Sequence, residues 1–313
     1  MMNTFWFQAL LLVLGFLLLT KGADWFVDGA ASIADRLGIP QLVIGLTIVA
    51  MGTSLPEAAV SISAAMKGSA AITIGNVLGS NILNVLVILG LTSLLCPIPV
   101  QKSTVRYEIP FTILITVALA GLGLWDNAVN RLEGGIFWGL MILYLLYLLV
   151  MAKKGNAPQE EEKKEKKRSV LFLFGMVIVG AVMIVFGSNV TIDAATEIAK
   201  MFGMDERFIG LTIVAFGTSL PELVTSVTAA LKKKPDIAVG NIVGSNIFNI
   251  LFVAGTTALI TPVTYAQSFL LDSCVAIATV VLLFLCVVKN HKLGRLGGLA
   301  MLLAYAGYFA YIL

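Results

Sequence analysis

The chain has 313 residues, of which 58% are hydrophobic and only 12% charged, and its formal net charge is +3. A soluble domain carries about 25% charged residues. That composition excludes an ordinary water-soluble enzyme or a basic nucleic-acid binder and points to a chain folded in lipid. Cys96, Cys274 and Cys286 lie far apart, which suggests neither a disulfide framework nor a zinc site.

A helix needs roughly 20 mostly apolar residues to cross a bilayer. Ten such stretches occur, near residues 5–20, 39–66, 70–95, 107–125, 134–152, 169–187, 208–231, 236–261, 268–288 and 294–313. The first has no positive charge before it and further spans follow, so it reads as a mature helix rather than a leader. The one long polar stretch, residues 153–168, reads as a solvated linker. It divides the chain into halves 1–152 and 169–313.

Basic residues set the orientation. With the 153–168 linker in the cytoplasm, seventeen Lys and Arg fall inside. Only Lys67, Arg131, Lys200 and Arg207 fall outside. Such an inside excess is a strong topology signal. It places both termini outside and fits an even number of spans in the cell membrane.

Residues 45–90 align without gaps on residues 210–255, at a constant offset of 165, and 26 of the 46 aligned positions are identical. Residues 45–57 recur as 210–222 with a single difference, Met51 against Phe216. The likeness continues weakly upstream, where Gly22, Asp28, Ala34 and Gly38 match Gly187, Asp193, Ala199 and Gly203. Each half holds five spans, an odd number, so the second copy enters the membrane from the opposite side. The expected architecture is an all-α integral membrane protein with ten transmembrane helices in two inverted five-helix repeats. Secondary transporters are built this way, with the substrate near the bilayer midplane between the repeats.

Glu57 and Glu222 lie deep within apolar spans. An acid at that depth costs about 2.5–3.5 kcal/mol on insertion scales, so two at matching positions imply a role. Thr53 and Ser54 precede Glu57 by four and three residues, which puts all three on one helical face. Pro56 cannot donate to the carbonyl of Gly52, and Gly52 tolerates the distortion. Carbonyls near residues 50–52 are expected to be freed, which lipid forbids unless they meet protein, water or an ion. Gly217, Thr218, Ser219, Pro221 and Glu222 repeat the arrangement.

In the partner spans Asn76, Ser80 and Asn84 form a polar stripe with Asn81 beside it, and Asn241, Ser245, Asn249 and Asn246 repeat it. Pure helix packing through small residues is the competing account of these positions, chiefly Asn76, Asn81, Asn241 and Asn246. Two carboxylates, hydroxyls, amides and carbonyls make a set of hard oxygens without His or Cys. That set suits Ca²⁺, with its roughly six to eight oxygen ligands, or Na⁺; it does not suit zinc or copper.

These blocks, Gly-Thr-Ser-Leu-Pro-Glu and Gly-Ser-Asn-Ile-x-Asn in duplicate, resemble the alpha-repeats of the sodium/calcium exchanger family within the cation/calcium antiporter superfamily. The compact prokaryotic members are the most similar. The resemblance implies Na⁺/Ca²⁺ antiport by alternating access, with a sliding pair formed by the first and sixth helices. It implies a ligand set of Thr53, Ser54, Glu57, Ser80 and Asn84 with Thr218, Ser219, Glu222, Ser245 and Asn249, joined by the carbonyls of Ala50 and Ala215. No cofactor, nucleic acid or obligate protein partner is implied; Ca²⁺ and Na⁺ are substrates and the lipid bilayer is the surround. Many relatives carry Asp where this chain has Asn249, so here the site holds two carboxylates, which argues against K⁺ coupling.

An H⁺/Ca²⁺ or K⁺-dependent exchanger of the same architecture is the alternative. An intramembrane protease is disfavoured: the only histidine, His291, sits at a membrane edge and Asp272 stands alone. A passive channel is disfavoured by the inverted two-fold site. Asp28, Asp35, Asp193 and Glu197 read as solvated helix flanks, and Glu108, Asp126 and Glu133 as helix-end charges.

Overall fold

A computed structural model describes residues 2–67, 70–154, 169–204 and 215–312. Most of the 153–168 linker lies outside the described residues, as does the 208–214 part of the seventh expected span.

The elements follow from long apolar runs whose backbone polar groups must all be satisfied within the helix. They are α1 (Met2–Leu37), α2 (Gln41–Thr53), α3 (Leu55–Met66), α4 (Ile72–Leu95), α5 (Thr104–Asp126), α6 (Arg131–Lys154) and α7 (Val170–Met201). After these come α8 (Ala215–Thr218), α9 (Leu220–Leu231), α10 (Pro235–Ile260), α11 (Phe269–Val287) and α12 (Arg295–Ile312). Among the described residues, eight helices are long and apolar enough to cross a membrane. The pair α2 and α3, bent by 48° at Ser54, makes a ninth as one broken span. The chain is a multi-pass, all-helical membrane protein.

Two expectations shift. The first helix runs past its apolar stretch to Leu37, in keeping with the extension to about residue 36 expected of a sliding helix, so Lys21 sits within a helix and not in a connection. The break in residues 39–66 falls at Ser54 (φ −86°, ψ 10°), and Pro56 lies in the first turn of the helix that follows. Proline is at ease there, because its missing N–H would have had no intrahelical partner. It therefore starts α3 and does not merely kink one long helix. Ser219 (φ −92°, ψ 5°) and Pro221 do the same before α9.

Two antiparallel ribbons tie the halves together. β1 (Ile98–Pro99) pairs with β4 (Lys292–Leu293), and β2 (Ala128–Val129) pairs with β3 (Val263–Thr264). Each ribbon joins a connection of one half to a connection of the other.

The long helices α1 and α7 run antiparallel, at the closest approach two helices allow. A Cβ on Gly22 would lie 2.9 Å from the Gly180 carbonyl oxygen, and one on Gly180 only 2.7 Å from the Phe26 nitrogen. Gly15 and Gly187 repeat the contact two turns away: a Cβ on Gly187 would lie 2.9 Å from the Gly15 carbonyl oxygen. Small residues let membrane helices touch backbone to backbone, where dispersion and not water exclusion drives association. Leu19, Phe26, Val27, Ile33, Leu173, Val177 and Ile184 fill an apolar cluster around this seam. A second, larger cluster is centred on α4 and α10.

Where α1 passes the end of α9, Lys232 Nζ donates to Asp28 Oδ2 at 2.8 Å and lies 3.1 Å from Asp24 Oδ1. Asp28 is thus ion-paired rather than merely solvated. Partial burial alone pushes the Lys232 ammonium pKa down, but the two aspartates outweigh it and hold it above the ordinary lysine value. A base whose folded pKa is raised adds stability that is complete below its unfolded pKa and fades as pH rises through the folded one.

Two outcomes test this packing. Gly180→Leu should destabilise the detergent-solubilised protein by about 1–3 kcal/mol through overpacking. Gly175→Ala on the same helix, where an added Cβ meets nothing within 4 Å, should leave the melting temperature unchanged. Lys232→Met should cost about 1 kcal/mol or less. That difference should stay constant from about pH 6 to 9 and shrink only above the unfolded lysine pKa of about 10.4, as followed by thermal melts across pH.

Candidate functional site

The breaks at Ser54 and Ser219 put Glu57 and Glu222 in the first turns of α3 and α9. The positive end of each helix dipole then faces a carboxylate, a favourable pairing. Both side chains are essentially fully buried, at 1% and 0% exposure. Each sits where the other's charge is felt. None of the ion pairs among the described residues involves either glutamate, and no cluster of three or more His, Cys, Asp or Glu occurs among those residues. Two buried carboxyls that form no ion pair among the described residues must be neutralised by a proton or a bound cation.

Hydroxyls reach across between the halves. Ser54 Oγ donates to Glu222 Oε1 at 2.8 Å, and Thr53 and Ser245 also face the Glu222 carboxyl. Ser219 lies beside the Glu57 carboxyl without a hydrogen bond of ordinary geometry. The Ala50 carbonyl, expected to be freed, instead accepts from Ser54 N at 3.1 Å, Thr53 Oγ1 at 3.3 Å and Ser245 Oγ at 3.3 Å. The Gly217 carbonyl, which Pro221 cannot serve, accepts from Ser188 Oγ of α7 at 2.9 Å.

The asparagines separate into three roles. Asn76 Nδ2 donates to the Glu57 carbonyl at 3.1 Å and to Ser61 Oγ at 2.9 Å. Asn241 repeats this with the Glu222 carbonyl at 3.4 Å and Ser226 Oγ at 2.9 Å. These two brace the first turns that carry the acids. Thr53 Oγ1 donates to Asn241 Oδ1 at 2.9 Å, joining the halves.

Asn81 and Asn246 exchange side-chain-to-carbonyl bonds across α4 and α10, at 3.1 and 3.2 Å. Their own Oδ1 atoms take the amide nitrogens of Asn249, at 3.1 Å, and Asn84, at 3.0 Å. With those nitrogens committed, Asn84 Oδ1 and Asn249 Oδ1 are left buried and unpartnered.

The unpartnered buried side-chain atoms thus include Glu57 Oε2, Glu222 Oε2, Asn84 Oδ1, Asn249 Oδ1 and Ser219 Oγ. All are hard oxygens, and buried polar atoms in folded proteins are rarely left orphaned. Ser80 is buried nearby in sequence on α4. Thr218 and Ala215 lie in α8, just past the undescribed residues 205–214.

Sequence reasoning did not find Ser188, Ser61 and Ser226. The first has no repeat-related hydroxyl to mark it, since Ala23 occupies the matching position. Ser61 and Ser226 do match across the repeat and sit one turn beyond each glutamate, which is the signal that could have found them.

Residues 7–150 and 172–313 match the family described as Sodium/calcium exchanger protein. CaxA of Alkalimonas amylolytica is 41% identical over 307 residues, covering 95% of this chain and 95% of its own. The sodium/calcium exchanger MaX1 of Methanosarcina acetivorans is 33% identical, covering 96% of each chain. The structure of the sodium-calcium exchanger NCX_Mj, soaked with 10 mM Na⁺ and zero Ca²⁺, matches with a TM-score of 0.84 at 33% identity, over 97% of this chain and 98% of that one. The match spans both halves, and the chain belongs to the sodium/calcium exchanger family of membrane cation/Ca²⁺ antiporters.

Proposed function

We propose that this protein exchanges Na⁺ for Ca²⁺ by alternating access at a site between two inverted five-helix repeats, near the bilayer midplane. The observation that carries the reading is the set of orphaned buried oxygens at Glu57, Glu222, Asn84, Asn249 and Ser219. Two carboxylates balance one Ca²⁺. The same oxygens can hold Na⁺ ions in turn, so occupancy by one ion excludes the other and exchange follows. Thr53, Ser54, Thr218, Ser80 and Ser245, with the carbonyls of Ala50 and Ala215, complete the ligand set. Those now hydrogen-bonded, such as Ser54 and Ala50, would trade protein partners for the ion.

In this reading both termini lie outside the cell membrane and the 153–168 linker is cytoplasmic. The glycine-seamed α1 and α7 move as one piece past the rest of the molecule, and Ser188 links that piece to the broken helix at Gly217. Asn249 leaves the site with two acids, which favours coupling to Na⁺ without K⁺. Support comes from the exchanger name of MaX1 and from NCX_Mj structures soaked with Na⁺, Ca²⁺ or Sr²⁺.

Proteoliposomes decide the coupling ion. Ca²⁺ uptake should follow an imposed outward Na⁺ gradient, should not need K⁺, and should persist when the proton gradient is collapsed. Uptake that instead tracks the proton gradient would make H⁺ the coupling ion. Glu57→Gln and Glu222→Gln should each abolish Ca²⁺ uptake with the protein still monodisperse, because a divalent ion is then left with one balancing charge. Normal uptake by either variant would defeat the assignment.

A further inference from the structure

Four π-helical turns interrupt the described helices: Gly45–Val49, Asn84–Leu89, Thr104–Glu108 and Asn249–Ala254. Such turns are rare and are found frequently at functional sites. Three of the four adjoin the central site: the first ends against Ala50, and two others open on Asn84 and Asn249. The remaining turn, at the start of α5, has no such role. It begins at Thr104 and ends at Glu108, and both side chains are buried, at 0% and 1% exposure.

Glu108 is not the solvated helix-end charge its position suggests. Tyr147 of α6 donates a short hydrogen bond to Oε1, while Oε2 has no partner. Thr104 Oγ1 faces the same carboxyl, and the Tyr144 hydroxyl lies within its electrostatic reach; both oxygens are buried and unpartnered. Tyr144 is held by stacking on Phe111, at 5.7 Å between ring centroids, and against Tyr147, at 6.4 Å. No ion pair among the described residues includes Glu108. Arg106 instead sits over the ring of Tyr107, 5.7 Å from its centroid. A buried carboxylate without a counter-charge, ringed by orphaned oxygens from two helices, repeats in smaller form the character of the central site.

We propose that Thr104, Glu108 and Tyr144 form a second cation site that takes one small monovalent cation, Na⁺ in chemical character, with Tyr147 orienting the carboxylate. One carboxylate balances one charge, whereas a divalent ion would keep an uncompensated charge in a low-dielectric setting. Carboxylate and hydroxyl oxygens are hard ligands, suited to an alkali cation and not to a thiophilic metal. A proton on Glu108 would also neutralise the charge, but it bonds to only one hydroxyl oxygen at a time. A cation between them serves all three oxygens. The site shares no residue with the Glu57 and Glu222 pair, so it stands or falls apart from the exchange reading.

Sodium-23 NMR on the purified full-length Glu57→Gln/Glu222→Gln variant isolates this site, because the central carboxylates are gone. Excess line broadening that saturates with NaCl, and that choline chloride at equal ionic strength does not compete away, is expected. Glu108→Gln in that background should weaken the titration at least about tenfold. Tyr144→Phe, which removes one hydroxyl and keeps the ring, should weaken it several-fold and decides the matter if the glutamine variant does not fold. Absence of excess broadening in the background variant overturns the proposal, and so does broadening that survives Tyr144→Phe unchanged.

Discussion

Two buried carboxyls, Glu57 and Glu222, which form no ion pair among the described residues, set the terms for the rest of the molecule. Left unpaired, such charges would oppose folding, and the usual remedy of a basic partner does not occur among the described residues. The surrounding architecture spreads the load in other ways. Each acid is placed in the first turn of a helix begun by a proline. Each is approached by a hydroxyl from the opposite half and braced by an asparagine on the neighbouring long helix. None of these neighbours carries positive charge, so a proton or an entering cation must supply the balance. In the proposed reading, such a site binds its cargo because the cargo completes it.

The crossing of α4 and α10 shows how an uncharged network can aim ligands. Asn81 and Asn246 spend both ends of their amides on each other's helix and on Asn249 and Asn84. A fully satisfied polar pair at a helix crossing fixes register, and buried networks of this kind rigidify a core. The outcome is that two carbonyl oxygens, one from each half, are left free while every nitrogen is used.

Much of this could be read from residues alone, and the parts that could not share a cause. The acids stand out because an ionisable group inside an apolar run has no neutral explanation, and the 165-residue offset doubles every motif. The helix break was legible from Pro56, but not its position at Ser54, because proline can end one helix or begin the next. The sequence left open whether Asn81 and Asn246 pack or bind; only their meeting, across 165 residues, shows that they hold the amides of Asn249 and Asn84. Glu108 and Asp272 looked like ordinary helix ends. Their partners, Tyr147 and Tyr308, lie 39 and 36 residues away on other helices, beyond any local pattern. The Ala50 carbonyl was expected to be bare and instead takes three donors, one of them from the opposite half.

The glycine seam between α1 and α7 has a consequence for efficiency. Backbone locked on backbone at Gly15, Gly22, Gly180 and Gly187 leaves no side-chain layer in which one helix could shift without the other. One of these helices comes from each half of the chain, so in the proposed alternating-access cycle a displacement that uncovers the site at one membrane face would drag its twin over the site at the other. A molecule with both doors ajar would let ions run down their gradients without exchange. In that cycle four missing side chains would act as a guard against slippage.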